Sequence, residues 1–201
     1  MTSGRKKILF QTDFSLAKTG FGRSSKAILS YLYNLDKYDI VHLCCGKHQD
    51  SIDLQKTPWK SIGTIPTNPT ELEQIRKEEK GSEKAFYGFY NLDKVIYEEK
   101  PDIYIGIQDI WGVFPAIEKP WFKKITSVIW TTLDSLPIFP LAIEAAKKSK
   151  NFWIWSDFAT KALHKLGHDK VKTVHGPIED HFFYKLDAEK RYELRIDHLI
   201  H

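Results

Sequence analysis

Short runs rich in β-branched and aromatic residues alternate with stretches whose apolar side chains recur at helical spacing, and this rhythm runs almost from end to end of the chain. Residues 7–12 (KILFQT) read as a first strand, followed by a loop at 14–19. From Arg23 onward Ala27, Ile28, Tyr31, Leu32 and Leu35 fall three or four apart, which is one face of a helix. Residues 39–45 (DIVHLCC) form a second strand whose near-continuous apolar run suits a parallel strand covered on both faces. Residues 62–65 read as a short strand. Pro69 opens a charged helix over 70–80 that suits a solvated face, and a further helix spans 83–99 before Pro101. Strands follow at 102–107, 124–133, 151–155 and 170–174, separated by helices at 110–117, 137–148 and 157–166. In the second of these helices Pro137 suits the first turn with Ser135 as its cap; in the third, Ser156 is the N-cap and Gly167 the stop. Strands alternating with helices in this way predict one α/β domain of Rossmann-like type, a parallel sheet with helices on both faces.

Size and composition fit that reading. A chain of 201 residues with 42% hydrophobic and 28% charged residues has enough apolar material for one core and is not a disordered chain. The net charge of +4 is too small to announce a nucleic-acid partner. The longest apolar stretches, 127–130 and 138–143, fall well short of the about 20 residues that cross a bilayer. Only Ile8 to Phe10 follows the basic Arg5–Lys7 as an apolar run, so no signal peptide is readable. The adjacent Cys44 and Cys45 make neither a disulfide framework nor a zinc site and suit small hydrophobes in a sheet. A soluble, cytoplasmic protein is expected.

Open parallel sheets collect ligands beyond the carboxyl ends of their strands. That rule selects Asp13 after the first strand, Gly20-Phe21-Gly22 before the first helix, Gln108-Asp109-Ile110-Trp111, Asp134-Ser135, Ser156-Asp157 and His175-Gly176-Pro177. The glycine pair at a helix N-terminus either admits a phosphate to backbone N–H groups or makes a plain turn. It is not a dinucleotide fingerprint, because Ser25 stands where the third glycine would be and no acid closes the second strand. There is also no P-loop and no nucleophile elbow. Asp109 and Asp134 are candidates to bind sugar hydroxyls or handle a proton. Asp134 has capping of the next helix as its alternative role, and Trp111 is either an aromatic platform or a core residue. The histidines show no metal-ligand spacing. Lys119, Lys123 and Lys124 flank Trp121-Phe122 as a basic, aromatic edge, readable as a solvated loop or as a contact for anionic lipid.

Taken together, these stretches resemble the N-terminal half of GT-B glycosyltransferases, specifically the large retaining family 4. The similarity is strongest over residues 151–185, where Ser156, Leu166-Gly167, His175-Gly176 and Phe182 or Phe183 fall in step with the family pattern and Glu179-Asp180 replaces its lone acid. The opening ILFQTDFSLAKTGFGRSSKAILSYL is similar to the family's first strand, glycine loop and helix, and PDIYIGIQDIW to its Pro-Asp-strand-Asp-x-Trp stretch. The resemblance implies transfer of a sugar from a nucleotide-diphosphate-sugar co-substrate to an acceptor hydroxyl, with retention and no obligatory metal or other cofactor. It makes Gly20, Phe21 and Gly22 the loop that closes over the donor phosphates. Asp13, Asp109, Trp111 and Ser156 fall on the acceptor side, His175 and Gly176 in the turn toward the second domain. Many members carry a histidine after the strand matched by VIWTTL; here Asp134 is the nearest polar group and the catalytic candidate.

On this resemblance residues 1–186 are the acceptor-side domain and 187–201 begin a linker to a C-terminal donor-binding domain. The expected partners are that domain, or a separate chain completing a split enzyme, and a sugar acceptor. An apolar face left bare by the missing half would favour self-association. A non-catalytic binding or scaffold domain and an unrelated nucleotide-binding α/β protein are the alternatives.

Overall fold

The computed structural model describes residues 4–178 and 185–199, so Glu179-Asp180 and Phe182-Phe183 lie outside the described residues. Seven parallel strands form one sheet in the order β3-β2-β1-β4-β5-β6-β7. They are β1 (Lys6–Asp13), β2 (Tyr38–His48), β3 (Lys60–Ile65), β4 (Ile103–Ile107), β5 (Thr126–Thr131), β6 (Asn151–Ile154) and β7 (Lys172–Thr173). The helices are α1 (Gly20–Asn34), α2 (Pro69–Lys77), α3 (Gly81–Tyr87), α4 (Leu92–Glu99), α5 (Ile110–Ile117), α6 (Pro140–Lys148), α7 (Asp157–Lys165) and α8 (Ala188–Leu199). This is a Rossmann-like α/β fold. Its strand order reverses direction between β1 and β4, the switch point beside which such sheets bind ligands.

Period-two alternation along the strands separates two apolar layers. Leu9, Leu43, Tyr104, Ile129 and Ile154 point to the layer covered by α4, α5, α6 and α7. Ile8, Phe10, Ile40, Ile105 and Trp130 point to the other, where Leu29 of α1 packs. Strand β2 is buried from Ile40 to Cys45, which is why its sequence is apolar without alternation, and both cysteines are packed thiols. Burial pushes the Cys44 thiol up to about 12 and that of Cys45 well above its usual range, so neither is a nucleophile at neutral pH.

Four of the differences from the sequence reading go beyond a shift of a few residues at an element's end or bear on the site. The stretch 83–99 is two helices, because Gly88 takes φ +81°, terminates α3 and turns the chain before α4. Helix α6 starts at Pro140, with Phe139 in the cap position; Pro137 lies outside the helix and Ser135 does not cap it. Helix α1 starts at Gly20, so the glycine pair forms its first turn. The last strand keeps only two residues. Helix α7 ends as read: Gly167 at φ +86° donates to the His164 carbonyl and His168 to that of Leu163, a Schellman motif. Helix α2 is the solvated element expected, capped by Asn68 Oδ1 on the Thr70 and Glu71 N–H groups, with only Ile75 buried.

Candidate functional site

The carboxyl ends of β1, β4, β5, β6 and β7 are stitched to one another by side chains of the residues selected above. Gln108, just past β4, donates to Asp13 Oδ1 at the end of β1. Thr132, past β5, donates to Asp109 Oδ1 at 2.9 Å. Ser156, past β6, donates to the Leu133 carbonyl at 2.9 Å. His175, past β7, meets the Trp155 carbonyl through Nδ1 at 2.8 Å, which fixes the proton on that nitrogen. The rim is therefore a row of polar groups held at defined spacing by the parallel sheet beneath it. Ser156 holds the N-cap position of α7 as read, but its hydroxyl makes no capping hydrogen bond, because it is turned toward the β5 loop instead. Gly176 lies flat against the Trp155 indole, where a Cβ would stand 2.6 Å from the ring.

Asp13 is the hub of the glycine turn. Its Oδ2 accepts from Thr19 Oγ1 at 2.6 Å, and Thr19 Oγ1 in turn accepts the Gly22 N–H at 2.9 Å as the N-cap of α1. Gly22 is required by close approach, since a Cβ there would lie 2.5 Å from the Ala17 carbonyl. Gly20 faces open space, and the N–H groups of Gly20 and Phe21 have no partner among the described residues. At the third-glycine position Ser25 is buried and bonds Thr12 Oγ1 at 2.7 Å and the Phe21 carbonyl at 2.6 Å, pinning helix to strand.

Of the two open roles for Trp111, the structure selects exposure: the indole is 48% exposed. It donates to Tyr87 Oη at 3.2 Å, and Tyr87 lies against Gly112 on the first turn of α5. Burial, more than the charge of nearby Asp109, raises the Tyr87 phenol above its ordinary value, so it stays protonated. Asp134 is exposed in the loop before α6, does not cap that helix, and has no partner among the described residues. Unlike Asp13 and Asp109, it is held by no staple among the described residues.

A cleft of ≈ 420 Å³ opens at the same rim, between the loop after β1 and the end of β2. Phe14, Leu16 and Ala17 make its apolar wall, and Lys47, Asp53 and Lys56 its charged one. The Lys47 ammonium stands 4.9 Å over the Phe14 ring. Hydrogen bonds from Lys47 and Lys56 hold the Asp53 carboxyl down at about 2. Sequence reasoning missed this cleft, and it missed Thr19, Tyr87 and Thr132 as partners. Thr19 carried a signal, a capping residue one position before the helix. Tyr87 carried none, since only the break at Gly88 brings it to α5.

Among the described residues no three His, Cys, Asp or Glu side chains converge to hold a metal ion, and no helix is long and apolar enough to cross a membrane. Fold and rim together define a Rossmann-like α/β domain. No protein family and no curated protein matches the chain by sequence. Among solved structures it is similar to the UDP-GlcNAc 2-epimerase from Methanocaldococcus jannaschii, with a TM-score of 0.47 and 15% identity. That match covers 85% of this chain and 45% of the epimerase, so the chain spans less than half of the protein it resembles.

Proposed function

We propose that this domain is the acceptor-side half of a GT-B-type glycosyltransferase, forming one wall of a cleft in which a sugar passes from a nucleotide-diphosphate-sugar to an acceptor hydroxyl. The observation that carries the reading is the make-up of the rim. Leu16, Trp111, Leu136, Phe139, Phe158 and Ile178 are large apolar side chains left exposed on its loops and helix starts, Leu136 and Ile178 by 62% and 61%. They sit among the stapled polar residues Asp13, Asp109, Ser156 and His175. An apolar border around fixed polar groups suits a surface covered by a second body with a polar ligand between the two. The covering body is a C-terminal donor-binding domain or a partner chain.

Within that cleft Asp109 and Asp13 accept hydrogen bonds from acceptor hydroxyls, and the Trp111 indole packs on a sugar face. The Gly20 and Phe21 N–H groups, at the positive end of α1, approach the donor phosphates. Asp134, exposed and without a partner among the described residues, handles charge or a proton at the reacting centre. Positioned charge at the leaving phosphate supplies most of such catalysis, and on this reading it comes from the other half.

Two measurements test this. Calorimetry of the chain alone with UDP-, GDP- and ADP-sugars should give weak heats, and tight binding would overturn the two-half assignment. In a longer protein containing this segment, or the chain with its partner, Trp111→Ala should raise KM for the acceptor and leave KM for the donor unchanged. A raised donor KM instead would place the indole on the wrong substrate.

A further inference from the structure

The opposite end of the sheet carries a charge pattern in which the rim has no part. A cleft of ≈ 600 Å³ opens at the amino ends of β5 and β6. Lys123, Lys124, Lys148 and Lys150 line it, with Thr126 and Asn151 between them, and no carboxylate is among its lining residues. Lys148 is held by Glu118 at 2.7 Å and Glu144 at 3.0 Å. Lys123, Lys124 and Lys150 are exposed and have no ion-pair partner among the described residues. Like charges gathered in one concavity, with low-dielectric protein behind them, raise the local potential and favour an incoming anion.

The walls are built, not incidental. Trp121 packs edge-on to Tyr104 at 5.0 Å and donates to Asp93 Oδ1 at 2.7 Å, while Phe122 is buried. Asp93 also takes the Lys119 ammonium at 2.7 Å. The aromatic half of this basic stretch is therefore turned inward and Lys119 is neutralised, which leaves Lys123 and Lys124 to the cleft. Ser127 Oγ donates to the Phe122 carbonyl at 2.7 Å, and Asn151 Nδ2 to the Ser127 carbonyl at 3.1 Å. These bonds tie the two lysine-bearing turns to each other.

We propose that this cleft binds the clustered phosphate groups of a soluble polyanion, at a site separate from the rim. Ammonium groups pair with phosphate oxygens as mobile point charges, so three unpaired lysines on two tied turns suit a ligand with several adjacent phosphates. None of the exposed large hydrophobic side chains lines the cleft, so it offers nothing to enter a bilayer, which separates this reading from attachment to anionic lipid.

Inorganic triphosphate is the probe. Titrated into the 201-residue chain at low salt, it should bind saturably and shift the backbone amides of Thr126 and Asn151. The combined Lys123→Ala, Lys124→Ala and Lys150→Ala variant alters only exposed side chains. It should keep its circular dichroism spectrum and bind at least about tenfold more weakly, the loss expected from a charge-assisted hydrogen bond. Asp109→Asn at the rim should bind as the parent does. No saturable binding, equal binding by the triple variant, or shifts confined to Gly20–Gly22 would each overturn the site. Capture by phosphatidylglycerol vesicles without triphosphate binding would assign the lysines to lipid and overturn the soluble ligand.

Discussion

Gln108 at the end of β4 donates to one carboxylate oxygen of Asp13 at the end of β1, across the switch point of the sheet. The other oxygen of Asp13 accepts from Thr19, which caps α1. One carboxylate thus sets the spacing of the two central strands at the rim and the start of the glycine turn. Asp13→Ala leaves both donors without an acceptor and should cost about 1–3 kcal/mol in urea unfolding. Thr19→Ala removes the cap and the hydrogen bond to Asp13 but leaves Gln108 its acceptor, and should cost about 1 kcal/mol. If the two variants lose the same stability, the link from Asp13 to Gln108 contributes nothing.

The two glycines of the turn have separate jobs. Gly22→Ala drives a Cβ into the Ala17 carbonyl, a backbone atom that moves only with the whole loop, so it should destabilise by about 1–3 kcal/mol. Gly20→Ala meets nothing within 4 Å and should leave stability unchanged or improve it by about 0.4–1 kcal/mol. On the proposed function, the same Gly20→Ala in a longer protein containing this segment, or in the chain with its partner, should weaken donor use, because the added methyl crowds the approach to the Gly20 and Phe21 N–H groups. Thermal melts set beside donor KM values check the pair; a Gly20→Ala enzyme with normal donor KM would remove the phosphates from this turn.

The layered sheet was legible because its signal is local. Apolar runs such as DIVHLCC and DIYIGI mark strands buried on both faces, and the loops between them begin where ligands gather. Asp13, Asp109 and Trp111 could be selected on that ground alone. What they bond could not, because Gln108 lies 95 positions from Asp13 and only the sheet order joins them. The break at Gly88 was illegible for a related reason. The apolar residues on either side of it keep helical spacing, and only the conformation of Gly88, at φ +81°, shows that the chain turns there. Ser156 was legible as the N-cap position, while the turn of its hydroxyl to the Leu133 carbonyl was not, because that partner lies 23 positions away in the chain.

Asp134 tests the functional reading without disturbing the fold. It is exposed and has no partner among the described residues, so Asp134→Ala should change unfolding stability by less than about 0.5 kcal/mol. On the proposed function, turnover of a longer protein containing this segment, or of the chain with its partner, should fall while both KM values hold, the pattern of an interaction made only in the transition state. Unchanged turnover would remove Asp134 from the reacting centre and leave the stapled Asp109 as the carboxylate to examine.

His42 gives the domain an acid limb of its own. Its ring is fully buried in β2, stacks at 6.5 Å on Phe14, and lies against the Thr12 and Asp13 backbone without a well-formed hydrogen bond. Burial disfavours the charged form and lowers its pKa from 6.5 to about 4. Above 6.5 neither the folded nor the unfolded chain binds the proton, and the residue adds no pH dependence there. Between 6.5 and about 4 only the unfolded chain takes it up, so stability falls as pH falls and levels off once the folded ring also protonates. The slope is about 1.4 kcal/mol per pH unit, a loss on the order of 3 kcal/mol across the window. Urea midpoints from pH 7.5 to 4 should show this decline in the parent chain. His42→Leu, which keeps an apolar side chain in the layer, should flatten the curve whatever its absolute stability, since the carboxylates common to both chains cancel in the comparison. Parallel curves for the two proteins would mean that the buried ring accepts its proton as easily folded as unfolded.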